Sequence, residues 1–377
     1  MNILICPDKF KGSLTAEAAA RAMSRGVRRA LPHADINVQP LADGGEGSLA
    51  LLARRPGMKR RRLTVAGPLR RPLDAEYLLG NGRAVIESAT ACGLHLVPGP
   101  RRDPRNTTTV GVGTLIDDAL ARGATDITLL LGGSSTSDCG AGMAAALGYR
   151  FISKQGYDFV PMADSLKFVD RIITEGRHPG LAKATITALC DVDNPLLGPE
   201  GATYTYARQK GATDDDLPTL ESNQAHFADC IADQLKVDVR HLKGAGAAGG
   251  LGAGAVAFLG ARLESGVDGL FAAVGFEKLA RHADLILTGE GKIDSQTLHG
   301  KVVAGVLRHH RPTVAVCGTS ELSASELGAE AILALDRKGV SKEESMLRAA
   351  ELLEETVYDY LANRHGKVGG DDTTPRT

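Results

Sequence analysis

Tryptophan is absent from the 377 residues, and aromatic side chains make up only 4% of them. That scarcity argues against a base-stacking platform for single-stranded nucleic acid. An excess of one charge is lacking too. The 44 Lys+Arg and 45 Asp+Glu leave a formal net charge of −1, without the basic surplus usual in nucleic-acid proteins. No apolar run approaches the ~20 residues that span a bilayer, so no membrane partner is expected. The start, Met1-Asn2-Ile3-Leu4-Ile5-Cys6-Pro7-Asp8, has neither a basic n-region nor a cleavage-site pattern. It does not read as a signal peptide, and a cytoplasmic enzyme is expected. Six cysteines lie far apart with no C-x-x-C pair. They read as reduced thiols, the alternative being a zinc site assembled from distant Cys and His.

Glycine is what the sequence has in plenty: 45 of 377 residues, about 12% against a usual share of roughly 7%. With 43% hydrophobic residues and no Gly-X-Y period, neither disorder nor a fibrous repeat fits. The glycines cluster in short runs between apolar segments, as tight functional loops do. At roughly 150 residues per domain, the length predicts two or three domains.

The first sixty residues read as two β-α units. Ile3 to Cys6 is a short buried strand. Thr15 caps a helix whose Ala16, Ala19, Ala20, Met23, Val27 and Ala30 keep the 3.6 period. Ile36 to Val38 is a second strand, and Gly44 to Leu52 opens a second helix. The rhythm returns late. Strands are expected at 285–287, 313–317 and 331–335, with helices at 296–308 and from Lys342 to about Leu361. Five apolar strands alternating with helices suffice for a doubly wound parallel sheet. The reading is therefore a discontinuous domain, 1–60 plus 265–377, interrupted by an inserted mixed α/β domain, 61–264. The active site would lie in the cleft between them, and two tandem domains are the competing partition. The insert opens as an antiparallel meander over 63–65, 75–79 and 84–86. It continues with helices 112–121 and 217–235 and strands 127–131 and 184–189. The polar tail, 366–377, is expected to be disordered.

Several loops carry candidate chemistry. Gly132-Gly133-Ser134-Ser135-Thr136-Ser137-Asp138-Cys139-Gly140-Ala141-Gly142 follows a strand and precedes a helix. Backbone amides and hydroxyls there converge on an anion, so Ser134, Ser135, Thr136 and Asp138 are phosphate or substrate candidates. Gly244-Ala245-Gly246-Ala247-Ala248-Gly249 matches G-x-G-x-x-G, but the segment before it is a poor strand and 252–263 reads as helix. NAD binding is not expected. Gly246 and Gly249 read instead as sites of close backbone packing or phosphate approach. Thr288-Gly289-Glu290-Gly291-Lys292-Ile293-Asp294 fails as a P-loop, because Ile286 and Ile293 stand where Gly and Ser/Thr belong. It still puts two acids and a base at the C-terminal end of a strand.

Pro7-Asp8-Lys9-Phe10-Lys11-Gly12-Ser13 and Ala42-Asp43-Gly44-Gly45-Glu46-Gly47-Ser48 follow the first two strands. With a 2-1-3-4-5 strand order, Asp8, Lys9 and Lys11 would face Glu290, Lys292 and Asp294 at the topological switch point, with Asp43 and Glu46 nearby. Asp191 and Asn194, in Cys190-Asp191-Val192-Asp193-Asn194-Pro195, suit Mg²⁺ or simply form an Asx turn. The basic runs 54–71 and 101–105 read as solvated surface.

Taken in order, these motifs resemble the type I glycerate kinase family. The resemblance runs from Pro7-Asp8-Lys9-Phe10-Lys11-Gly12-Ser13 through Glu87-Ser88-Ala89 and Gly132-Gly133-Ser134 to Val316-Cys317-Gly318. It implies a flavodoxin-like domain interrupted by a second α/β domain, and ATP-dependent phosphorylation of D-glycerate to 2-phosphoglycerate. Ser135, Ser137 and Cys139 depart from the family's usual Ala, Asn and Gly. Under this reading Asp191 or Asp43 is the base, and Lys9, Lys11 and Lys292 neutralise carboxylate or phosphate. Mg²⁺ sits among Asp191, Asn194, Glu290 and Asp294. Asp8, Ser13 and Glu46 join the substrate-binding set. Alternatives are a kinase for another small hydroxy acid, a 3-phosphoglycerate-forming kinase, or a non-catalytic sugar-acid sensor. A monomer or homodimer is expected.

Overall fold

The computed structural model describes residues 1–45, 47–298, 301–336 and 341–366. Glu46 and the tail beyond 366 lie outside the described residues. The chain divides into two compact units, Met1–Asp43 with Leu270–Thr377, and Gly44–Gly269. The sequence reading drew these limits at 60 and 265. The difference arises because Leu49, Leu51 and Leu52 of helix Ser48–Leu52 are buried within the second unit, where that helix packs on strand Arg83–Glu87.

The first unit is built on a five-stranded sheet. Its spatial order is Ala331–Ala334, Thr313–Ser320, Leu285–Ile293, Asn2–Ile5 and Asp35–Val38. Every neighbouring pair is parallel. Counted along this unit's own chain, that is 2-1-3-4-5. Tandem domains would have kept Asn2–Ile5 away from Leu285–Ile293, yet Ile3 pairs with Leu285 and Ile5 with Leu287.

Alternation along these strands buries both faces. Ile3, Ile5, Leu285, Leu287, Val314 and Val316 pack with helix residues Met23, Val27, Leu353 and Val357. Ile293, Ala315 and Cys317 pack on the opposite side with Val303 and Leu327. Helix Ala16–Ala30 starts where Thr15 Oγ1 accepts the Ala18 amide.

Some helices are shorter than their periodicity predicts. In place of 296–308 there is a 3-10 turn, Ser295–Leu298, and a helix, Val302–Leu307. Residues 299 and 300, within the expected helix, lie outside the described residues. The C-terminal helix is two pieces, Lys342–Leu347 and Ala349–Gly366.

The second unit has a six-stranded mixed sheet. Strands Arg262–Ser265, Thr185–Cys190, Asp126–Leu130 and Arg83–Glu87 run parallel, and Pro72–Gly80 and Lys59–Ala66 complete an antiparallel meander. Helix Ala247–Leu259 ends at Gly260, whose left-handed φ of 65° terminates it before the edge strand. The expected helix 252–263 therefore stops early. A small antiparallel sheet of Asp158–Phe159, Arg150–Ser153 and Val169–Ile173 lies in the same unit. Four aromatic residues cluster with it: Phe151, Phe227, Phe258 and Tyr149 form ring pairs with centroids 5.2–6.1 Å apart. Among the described residues all six cysteines are free, and no helix is long and apolar enough to cross a membrane.

Candidate active site

The strand order of the first unit puts the switch point between Asn2–Ile5 and Leu285–Ile293. The loop leaving Asn2–Ile5 touches the C-terminal half of strand Leu285–Ile293 through its backbone. The Asp8 amide donates to Gly289 O at 2.8 Å. A β-carbon on Gly291 would lie 3.1 Å from the Lys11 nitrogen. Gly291 thus permits the close approach that brings the acid-base residues together.

Asp8 is only 7% exposed, and its Oδ1 accepts the Lys9 amide at 2.6 Å. Burial, then the neighbouring charge of Asp43, pushes its carboxyl up to about 7, with Lys9 opposing and Glu290 adding a smaller push. Lys9 Nζ stands 3.7 Å from Asp43 Oδ1. Glu290 is buried as well. Its Oε1 accepts the Thr297 hydroxyl at 2.8 Å, and Lys301 Nζ lies 3.7 Å from Oε2. Burial raises the Glu290 carboxyl despite these two partners.

Lys292 points its charge elsewhere. Its Nζ is 2.7 Å from Glu321 Oε1 and 3.3 Å from Asp294 Oδ2. Asp294 also accepts the Gln296 amide at 2.9 Å. Burial opposes the effect, but these partners hold the Asp294 carboxyl below its ordinary range. Ser13 donates to Phe10 O at 3.1 Å, closing a turn, and Lys11 is exposed.

In the second unit the glycine loop is almost wholly buried. Ser134, Ser135, Thr136, Ser137 and Asp138 are at most 3% exposed. Asp138 is fixed by four donors: the Thr109 amide and hydroxyl at 2.8 Å, and the amides of Gly140 and Gly142 at 3.2 and 3.3 Å. Its carboxylate therefore shapes the loop and the start of helix Ala141–Ala146. Three successive carbonyls of the loop are captured from outside. Thr107 Oγ1 donates to Ser135 O at 2.8 Å, Lys210 Nζ to Thr136 O at 2.7 Å, and Gln224 Nε2 to Ser137 O at 3.1 Å. Ser135 Oγ is spent on Cys92 O at 3.0 Å.

Gly246 and Gly249 serve close packing. Their β-carbon positions fall inside contact distance of Pro195 O and Thr136 O respectively, and Ala248, Gly249 and Gly250 are all left-handed. Asp191 is exposed just beyond strand Thr185–Cys190. Asn194 is occupied by its own loop, accepting the Tyr206 hydroxyl at 2.5 Å and donating to Glu200 O at 2.7 Å.

Sequence reading missed Thr297, Lys301, Thr107, Thr109, Gln224 and Lys210. Lys301 had a faint signal, a polar turn just before the apolar Val302-Val303. Lys210, in Arg208-Gln209-Lys210-Gly211, looks like solvated surface and carries none. Among the described residues no group of three or more His, Cys, Asp or Glu could hold a metal ion by itself.

The glycerate kinase family model matches residues 3–363. The chain is 41% identical over 372 residues to a glycerate kinase of Bacillus subtilis strain 168, covering 96% of this chain and 97% of that one. It is 42% identical over 326 residues to the glycerate 2-kinase of Escherichia coli K12, covering 85% of each. A crystal structure from Salmonella typhimurium LT2, described as that of a glycerate kinase 2, superposes with a TM-score of 0.87. The two are 38% identical, over 98% of this chain and 99% of that one. The chain belongs to the glycerate kinase family and is a kinase.

Proposed function

We propose that this kinase transfers the γ-phosphoryl group of ATP to the 2-hydroxyl of D-glycerate. The observation that carries the reading is the crowding of Asp8, Asp43 and Glu290 with Lys9 and Lys301 at the switch point of the first unit's sheet. Ligands of open α/β sheets bind at that edge. The 2-hydroxyl is favoured by the name of the Escherichia coli relative.

Phosphoryl transfer depends on positioning and charge neutralisation more than on covalent chemistry. Asp8 is the acid whose proton equilibrium falls near neutral pH, which suits it to take the hydroxyl proton. Asp43, the base expected from sequence together with Asp191, holds Lys9 close by. Lys9 in turn neutralises an oxygen of the substrate carboxylate. The glycine loop of the second unit receives a phosphate group on its amides.

A divalent magnesium ion needs only one or two carboxylates when water and phosphate oxygens supply its other ligands. Glu290, a buried carboxyl raised by burial and in smaller part by Asp294, and the ionised, partly exposed Asp294 beside it would supply such a donor set for the ion. When bound it supplies charge neutralisation at the phosphates. Asn194, engaged by Tyr206, suits the alternative Asx-turn role better.

An ADP-release assay with D-glycerate, followed by ³¹P NMR of the product, tests the proposal. ADP formation with 2-phosphoglycerate is expected. Binding of glycerate without ADP formation would establish the sensor reading, and 3-phosphoglycerate would overturn the choice of hydroxyl.

A further inference from the structure

One buried cation in the second unit is not used by the chemistry above. Lys210 ends the short 3-10 turn Arg208–Lys210 and is 3% exposed. Its Nζ donates to Ser134 Oγ at 3.1 Å and to Thr136 O at 2.7 Å. Space for it depends on Gly249, where a β-carbon would come within 2.7 Å of Nζ. Holding two loop atoms does not by itself require a charge, since Gln224 holds the next carbonyl with a neutral amide. A buried ammonium adds positive potential in a medium that screens it weakly, at a cost in desolvation.

The groups facing Lys210 leave that potential uncancelled at contact range. Asp138 acts on it through space while its oxygens are taken by Thr109, Gly140 and Gly142. Cys92 and Cys139 are buried thiols held neutral, Cys92 pushed up to about 12 and Cys139 well above its ordinary value. Glu221, on helix Leu217–Leu235, faces Cys139.

We propose that Lys210 is a positioning residue for phosphate binding: it fixes the Ser134–Ser137 segment through Ser134 Oγ and Thr136 O beside an oxyanion and lends that loop its positive charge. The proposal rests on reading the loop as a phosphate site. Burial lowers the Lys210 ammonium to about 8. Phosphate affinity should therefore be nearly full at pH 7, about halved near pH 8 and lower still as the ammonium loses its proton above it.

The test is calorimetric binding of ADP and of D-glycerate to the full chain between pH 7 and 9.5. The wild-type protein should lose about tenfold in ADP affinity across that range. Lys210→Met should bind ADP at least tenfold more weakly at pH 7 and show a flat profile. Lys210→Gln, which can still donate to Thr136 O, should keep the melting temperature and also lose the pH dependence. It decides the matter if Lys210→Met fails to fold. Wild-type ADP affinity and pH profile in Lys210→Gln would overturn the proposal, as would a loss confined to D-glycerate. Gly133→Asp separates the premise from the inference, with Gly133→Asn as the neutral control. Gly133 is exposed and a β-carbon there meets nothing nearer than 3.9 Å, while its φ of 61° strains Asp and Asn alike, so the comparison of the two isolates the charge. Unchanged ADP binding in Gly133→Asp overturns the loop's role, and Lys210's with it. Weakened binding there alongside a silent Lys210→Gln overturns only the role of Lys210.

Discussion

Lys9 and Asp43 meet at 3.7 Å beside the buried Asp8, linking the loops that leave the first two strands of the chain. Both side chains retain some solvent exposure, so the pair adds no more than about 1 kcal/mol to stability. Its value lies in position. Lys9→Met and Asp43→Asn should each lower kcat at least 100-fold while moving the melting temperature by only a few degrees. Near-normal kcat in both would remove this edge from the reaction.

Asp8 makes the fold pH-sensitive in a direction opposite to most carboxylates. Its folded-state pKa of about 7 lies above the ordinary 3.8. Below pH 4 both folded and unfolded chains hold the proton. As pH rises from 4 to 7 the unfolded chain releases it first, and stability falls by roughly 4 kcal/mol, levelling off above 7. Asp8→Asn should therefore gain stability over the wild type at pH 8 and little at pH 4, while losing activity. Equilibrium urea unfolding at the two pH values measures the difference. An equal change at both would contradict the assignment.

Lys301 keeps Glu290 from rising further. Removing the cation in Lys301→Met should raise the pH at which Glu290 ionises and so push the acidic limb of the kcat/KM profile, set by Asp8 and Glu290 together, to higher pH. Lys301→Arg should restore most of it. An unmoved limb in Lys301→Met would show that Glu290 is not the group titrating there.

Three substitutions at two positions probe the glycine loop's backbone and the residue packed on it. Gly249→Ala places a β-carbon against Thr136 O at a φ of +70° and should cost at least 3 kcal/mol, read by thermal unfolding. Cys139 already holds a φ of 51° without being glycine. Cys139→Gly relieves that strain of about 1 kcal/mol but empties a buried thiol site, so its net effect should stay within about 1 kcal/mol. Cys139→Val adds a branched side chain to the same conformation and should cost more than 2 kcal/mol. A benign Val would refute the strain.

The sheet of the first unit was legible because Ile3 to Cys6 and Leu285 to Leu287 are short apolar runs closed by loops dense in Gly, Asp and Lys. Such runs announce buried parallel strands, and the loops mark the edge where they end. The 2-1-3-4-5 order appears as expected. Helix ends were less legible. Gly260 stopped a helix whose apolar pattern continued to Leu263, and the break before Ala349 has no marker in the sequence. Individual site roles were hardest. Asn194 carries the right chemistry for a metal, but only folding reveals Tyr206 on its oxygen. Lys210 is hidden for the converse reason, since a surface-like sequence is buried by contacts with residues some 75 positions earlier.

The first unit's central strands come from opposite ends of the chain, with Asn2–Ile5 and Asp35–Val38 on one side and Leu285–Ile293 on the other. On the ribosome, about 250 residues must be made between them, roughly 12–50 s at usual elongation rates. During that interval the edge of Asn2–Ile5 that will pair with Leu285–Ile293 is bare, while the contiguous second unit can already fold. The nascent chain thus spends most of its synthesis with the cradle for Asp8 and Lys9 half built, and this is the period in which a chaperone would protect it most.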